Sequence, residues 1–482
     1  MTKWLSILGA MVLLLPTFAV VSAAPPNPGS GESFISVQNL DPVDNVNIHA
    51  EYYNAATGIV DKTKDVWGVA PFATAGFAPR LIPDFPDNWM GSVVISADKE
   101  VAAVSSLVFT GGAIGGDGNT MGAYTSIPEG STAVYLPSVG KRDREATWIS
   151  VQNADVDPAD VRIRFFDRDG VEIVAAVQDF TLQPGVQRTV KLFDIGGLPT
   201  NFLGAAYITS GKKVAAVATT HTGYDSDIVN GIVSGATKLY YPLIRRRQMG
   251  GGWHDYSGIV VQNFDTAASA EVHVYFYDRD GILKADFTDT IPALSSHGYN
   301  TRYVGNADPT EIDKLGLSYL GSAVVECTNG KLIGGIVKYE NPRYALSAAY
   351  NAESAGRNNL FVPLACRRQF TPGVWYDSTG IIVQNLDAAA SASVHVEFYD
   401  RATPPTKVAE FNDTIPANSS HGYNTRYYGN APPSQIDGIP FDYVGSVRIT
   451  STNNKPLIGV VFTELQTDKG MYEYNGFVKD IP

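Results

Sequence analysis

Cysteine is almost absent from this 482-residue chain, which carries only Cys327 and Cys366. That excludes a disulfide framework as the source of the fold. With no His or acidic ligands at metal spacing beside the two cysteines, it also argues against a zinc site. At most one accessory bond, Cys327–Cys366, would form in an oxidising compartment. Charge is scarce as well, at 18% of residues, with a net of −13 and a pI of about 5.0. An acidic surface of this kind excludes a general nucleic-acid groove. After the first twenty residues no apolar run is long enough to cross a bilayer as a helix. There is no cysteine for a lipid near Ala24, and the terminal Lys479-Asp480-Ile481-Pro482 is no hydrophobic tail.

What the chain has in quantity is Gly (46), Pro (28), Tyr (25) and Phe (21), with 44% hydrophobic residues. That supplies cores and favours β strands joined by tight turns. The main signal is internal repetition. Phe34–Asp41 reads FISVQNLD, Trp148–Asp155 WISVQNAD, Ser257–Asp265 SGIVVQNFD and Gly380–Asp387 GIIVQNLD. Val-Gln-Asn begins at residues 37, 151, 261 and 383, so four copies of one unit are expected. The expected organisation is a signal peptide at 1–23, then units at 24–133, 134–238, 239–359 and 360–482. Lys3, the apolar Trp4–Val20 and the small residues Val21-Ser22-Ala23 are read as an export signal cleaved after Ala23.

Each unit repeats one grammar. After the VQN strand and a polar turn comes an alternating strand. In the third unit Val272, Val274 and Phe276 take one face while His273 and Tyr275 take the other. It ends in Asp167-Arg168-Asp169-Gly170 or Asp278-Arg279-Asp280-Gly281, and in altered form at Asn54–Gly58 and Asp400–Pro404. Asp-Gly after a strand is hairpin chemistry. A calcium loop needs more oxygen ligands and a closing Glu, so surface Ca2+ is only a weak candidate and no cofactor is expected. Pro-bearing turns follow, then Ser295–Tyr303 and Ser419–Tyr427, both SSHGYNTRY. This stretch supplies a candidate polar surface patch: His297, Tyr299, Arg302, His421, Tyr423 and Arg426. Ser and His stand one residue apart and so face opposite sides of a strand, and neither stretch has a GxSxG elbow, which argues against a nucleophile–base pair. A short helical turn is expected at Pro309–Ile312. Paired apolar strands after Gly91-Ser92, Gly204-Ala205, Gly321-Ser322 and Gly445-Ser446 bring the density to that of a β-sandwich.

Pro-bearing strands join the units at Tyr135-Leu136-Pro137, Tyr241-Pro242-Leu243 and Val362-Pro363-Leu364. Basic residues follow each, and they are read as a solvated or inter-domain salt-bridged face and not as a nucleic-acid groove. Three such strands serve four units, so one terminal unit is expected to lack a strand. The short joints predict an extended rod of four tandem β-sandwich modules, an all-β fold. The missing strand suggests head-to-tail self-association.

The pattern resembles a repeat of exported surface proteins from filamentous, often thermophilic bacteria, carried by Pro137, Pro242, Pro363, the VQN triplets and Asp278–Gly281. The resemblance implies immunoglobulin-like or related sandwiches used as spacers, adhesins or sheath components, and it brings no catalytic residues. The expected function is therefore a secreted or cell-surface, non-catalytic structural protein acting through shape and protein contacts, in a surface layer or filament. The alternatives are a glycan- or cell-surface-binding adhesin, with Tyr299, Tyr303, Tyr423 and Tyr427 as stacking residues, and an accessory chain of an extracellular enzyme. Expected partners are a second copy or cell-envelope glycans and proteins, with no nucleic acid.

Overall fold

Branched residues alternating with polar ones favour the extended backbone, and each VQN motif does end a strand: Gly29–Asn39, Glu145–Asn153, Gly252–Asn263 and Val374–Asn385. A computed structural model describes residues 29–480 apart from 113–119, 144, 403 and 466–469. The expected signal sequence lies outside these residues. Each motif Asn seals the turn that follows. Asn263 donates from Nδ2 to the carbonyls of Ala268 and Ile291, and its Oδ1 accepts from the Asp265 amide. Asn39, Asn153 and Asn385 repeat this geometry. That accounts for the most regular word in the sequence: buried Asn is tolerated where every polar atom is paired.

The structure is mostly strand with almost no helix, arranged as curled sheets of sandwich-like packing. In the third repeat the path runs Leu283–Ile291, Ala270–Asp278, Ser318–Cys327, Lys238–Met249, Gly252–Asn263 and Ser296–Asn300. The Pro-bearing strand (the lead strand hereafter) thus lies between the strand that opens with Gly-Ser or Gly-Ala (the GS strand) and the VQN strand. The second and fourth repeats place Ser131–Arg142 and Asn359–Thr371 in the same way. Each lead strand is therefore the first strand of the repeat that follows it. The C-terminal Phe477–Lys479 closes the fourth repeat by pairing with its lead strand. The first repeat is the short one. Its strands fall into separate sheets of four and three, with Val46–Asn54 and Gly91–Ala97 in the smaller. The expected helical turn forms at Pro309–Lys314, where Asp308 accepts from the amides of Thr310 and Glu311.

The rod expected from the short joints is not what the contacts describe. Ser36 Oγ donates to the Pro363 carbonyl at 2.9 Å and Ser446 Oγ to the Phe72 carbonyl at 2.7 Å, which joins the fourth repeat to the first. Four short strands, Thr120–Thr125, Ser226–Asn230, Leu346–Asn351 and Gly470–Asn475, pack in a closed circuit, each against the next and the last against the first. Short joints do not force a straight line; here each lead strand packs against the VQN strand of the next repeat, with the fourth repeat followed by the first.

Candidate functional site

The sequence marks SSHGYN and DRDG as separate motifs, and the structure brings them together at the seams between repeats. The turn aspartates act locally, as expected of hairpins: Asp278 Oδ1 accepts from the amides of Asp280 and Ile282, and Asp167 Oδ1 from Asp169 and Val171. The arginine between the acids reaches into the following repeat. The Arg168 carbonyl accepts from Ser295 Oγ at 2.8 Å and faces His297 Nε2 at 3.2 Å. Its guanidinium covers Gly298, where a Cβ would stand 2.9 Å from Nη1. At the next seam the Arg279 carbonyl accepts from Ser419 Oγ, and its Nη1 donates to Asn430 Oδ1 at 2.8 Å. The motifs go in pairs. A repeat with DRDG is followed by one with SSHGYN, and the first repeat, which lacks DRDG, is followed by Val186-Gln187-Arg188. That co-occurrence was the available signal for Arg168 and Arg279, which reasoning on single motifs misses.

The residues expected on a polar surface patch are divided between interior, seam and surface. Tyr299 and Tyr423 are fully buried, each donating its hydroxyl to Asp289 or Asp413 at 3.1 Å, so neither can stack on a glycan. Alternation along the strand turns them inward. His297 and His421 sit beside the same acids, with Nδ1 2.7 and 2.8 Å from the carboxylate. Arg302 lies 4.1 Å over Tyr303 and bonds the Tyr256 hydroxyl; Arg426 lies 4.6 Å over Tyr427 and 5.4 Å from Trp375. Tyr303 and Tyr427 remain 61% and 59% exposed. Basic residues after the second and third junctions are bound within their own repeats: Arg246 to the Thr301 carbonyl and Asp313, Arg367 to the Thr425 carbonyl and Asp437. The expected disulfide does not form. Cys327 and Cys366 are free and buried in the cores of different repeats.

A second set of seam contacts explains the Gly-Ser dipeptides. Ser92, Ser322 and Ser446 donate to the carbonyls of Gly185, Asn418 and Phe72, each in the Pro-centred turn of the following repeat, with the fourth followed by the first. All three acceptors hold positive φ, at 74°, 58° and 62°. A backbone that only Gly or Asn adopts cheaply is thus held, at Phe72, by the seam itself.

The closed circuit of short strands encloses polar groups. Asp225 is fully buried and accepts from the amides of Met121 and Met471, which ties the first, second and fourth repeats. Asn351 Nδ2 donates to the Asn230 carbonyl, Asn475 Nδ2 to the Asn351 carbonyl, and Asn230 Nδ2 to Thr125, forming a collar with one residue from each repeat. The collar lines an open recess, with Glu353 also in its wall. Burial raises the carboxyls of Asp225, Asp227 (to about 6) and Glu473 (to about 8) above their ordinary range. His395, Glu397 and Glu410 come within 4.8 Å of one another, but Lys407 Nζ already lies 2.6 Å from Glu410 and 3.4 Å from Glu397. Among the described residues this is an incomplete metal set with a cation of its own.

No protein-family model matches the chain, and no curated protein does. Among solved structures, Thermotoga maritima 1070 is 18% identical over 21% of this chain and 94% of its own, with a TM-score of 0.19. The Anabaena sensory rhodopsin transducer is 17% identical over 19% of this chain and 97% of its own, with a TM-score of 0.16.

Proposed function

We propose that this is a non-catalytic structural protein of the cell exterior, four β-sandwich repeats closed on one another, acting through its shape and through protein contacts. One observation carries the reading: the residues most suggestive of chemistry, Ser295, His297 and Arg168 with the counterparts Ser419 and Arg279, are used in joining repeats, while His421 is held by Asp413 of its own repeat. A nucleophile whose hydroxyl is held by a backbone carbonyl, beside a histidine held by a carboxylate and the same carbonyl, has no proton route to a substrate. Export rests on Lys3, the apolar run and Val21-Ser22-Ala23. Fractionation of the native cells and N-terminal sequencing test it: the protein is expected outside the cytoplasmic membrane, starting near Ala24. Intact Met1 on soluble cytoplasmic protein would overturn it. No helix among the described residues is long and apolar enough to span a membrane.

A second reading has its own observation. Tyr303 and Tyr427 stand exposed against Arg302 with Trp253 and Arg426 with Trp375, at equivalent places in the third and fourth repeats. Exposed aromatic faces of this kind suit sugar rings as the aromatic ligand-stacking surface of an adhesin. Cell-wall pulldown or glycan-array binding that is lost in the double variant Tyr303→Ala and Tyr427→Ala would favour it over a purely structural role.

A further inference from the structure

Among its described residues the first repeat lacks one strand that the other three have. In the other three, a lead strand lies between the GS strand and the VQN strand. Among the described residues of the first repeat nothing lies there: Gly91–Ala97 pairs with Val46–Asn54 on one edge only, and Gly29–Asn39 pairs elsewhere. Val93 and Ile95 are half-buried, whereas their counterparts Ala323, Val325, Val447 and Ile449 are buried.

The opposite wall gives an independent sign of the same gap. Ring-facing pairs on the VQN strand and its neighbour, Ser36 with Val104, Val260 with Ile336 and Ile382 with Val460, are buried against the preceding repeat. The equivalent pair Ser150 with Val217, which faces the first repeat, is only half-buried. The cores of the second, third and fourth repeats each take in side chains from the next one around, such as Val260, Ile336 and Ala349 in the second. Among the described residues, the first repeat's main core takes in no side chain from the second.

We infer that this gap is a docking site for one extended strand of another polypeptide. The three lead strands define what fits. Apolar side chains stand at Val134, Leu136 and Val139, at Leu239, Tyr241 and Ile244, and at Leu360, Val362 and Ala365, all buried, with proline at Pro137, Pro242 and Pro363 where the pairing shifts register. The occupant is a segment of pattern apolar-x-apolar-Pro-x-apolar, added as a strand to the Gly91–Ala97 edge, with main-chain bonds giving affinity and the apolar positions giving choice. The inference rests on export with cleavage near Ala23, since that leaves only Ala24–Pro28 ahead of the first described strand, too few residues to supply the strand in cis. Every other strand of the chain among the described residues is already paired, which makes a second copy a poor donor. The one rival occupant is the leader. Leu13-Leu14-Leu15-Pro16-Thr17-Phe18 has the same pattern, and Pro16 precedes Val37 by one residue more than Pro363 precedes Val383.

The test uses the secreted chain and a synthetic peptide with the sequence of residues 238–247, against the same peptide in reversed order. Expected are saturable one-to-one binding of the forward peptide, amide exchange at Gly91–Ala97 slowed at least about tenfold, and binding at least about tenfold weaker in Ser150→Trp, which fills the gap from its far wall. Equal binding of the two peptides, or protection elsewhere than Gly91–Ala97, overturns the inference. So does a secreted chain that retains Leu13–Phe18 with Gly91–Ala97 already protected, because the gap is then closed from within. Failure of the export reading shows separately, as Met1 on cytoplasmic protein; a chain beginning at Ala24 then decides the inference, which one-to-one binding of the forward peptide supports and absence of binding overturns.

Discussion

The first and third repeats share a strand grammar and differ by one strand. In the third, the lead strand joins all the main strands into one nine-stranded sheet, and Val325 and Ala323 of the GS strand are fully buried beneath it. In the first, the sheet is split and the matching strand Gly91–Ala97 is half-exposed along its length. Sandwich halves that lack a bridging strand lose main-chain pairing and apolar cover together, so the first repeat should open at lower free energy than the others. Amide exchange gives the largest expected contrast. Amides of Gly91–Ala97 should exchange at least about a hundredfold faster than those of Ser318–Cys327 in the unliganded chain. Equal rates would mean that the gap is filled.

Core substitutions sharpen the comparison. Tyr52 and Phe276 occupy the same place in their repeats and both are fully buried. Phe276→Ala should cost about 3–5 kcal/mol in urea unfolding. The Tyr52 hydroxyl is buried without a partner, and burial pushes it up to about 12. Tyr52→Phe should therefore be neutral or stabilise by up to about 1 kcal/mol, because it removes an unpaired polar group. A loss of more than about 1 kcal/mol would show that the hydroxyl has a partner in solution.

How far the sequence disclosed this follows from the range of each signal. Alternation, the VQN ends, the hairpin aspartates and the capped turn at Asp308 are local, and all are visible in a single chain segment. The curvature is not local. It depends on which side of each lead strand the next repeat packs against, and short joints are compatible with a line or a ring. Tyr299 and Tyr423 were misread because SSHGYN is polar in composition, yet strand alternation sends those two rings into the core. Cys327 and Cys366 drew attention only by being the sole pair, and distance in space overrules that. The seam role of Arg168 and Arg279 was present in the text as a pairing of motifs between adjacent repeats, and no reading of one motif at a time reveals it.

The buried titratable groups on and beside the closed circuit of short strands predict a pH dependence. Burial raises Glu473 from 4.5 to about 8 and lowers Lys338 from 10.5 to about 8. His221 is lowered from 6.5 to about 4, so its adverse effect is confined to pH below about 6.5. Between about pH 6.5 and 8 the folded state holds the Glu473 proton that the unfolded state has released. Stability then falls as pH rises, by about 2 kcal/mol over that window. Lys338 is paired with Glu145 in the folded state, which holds its proton and opposes the lowering by burial. Denaturant titrations at steps of pH should show this falling limb, and Glu473→Gln should make it shallower without abolishing it, since burial also raises Asp225 and Glu353. An unchanged limb in that variant would assign the dependence to other groups.

The seam serines give the smallest and most local comparison. Ser322 donates to a carbonyl at positive φ, that of Asn418, where the third repeat meets the fourth. Ser322 is fully buried, so Ser322→Ala leaves a carbonyl that water reaches poorly, and the cost should be about 1–2 kcal/mol. Ser92 makes the same bond to Gly185 at 2.8 Å, but it is half-buried beside the open edge, and the acceptor is a glycine for which positive φ carries no strain. Water can replace the lost hydroxyl there, and Ser92→Ala should cost no more than about 0.5 kcal/mol. The difference between the two variants reports how tightly each seam is closed, independently of the first repeat's overall stability, because each is measured against the same parent chain. Equal costs would mean that the first seam excludes water as well as the third does. A strand bound in the gap should raise the Ser92→Ala cost toward that of Ser322→Ala and leave the latter unchanged.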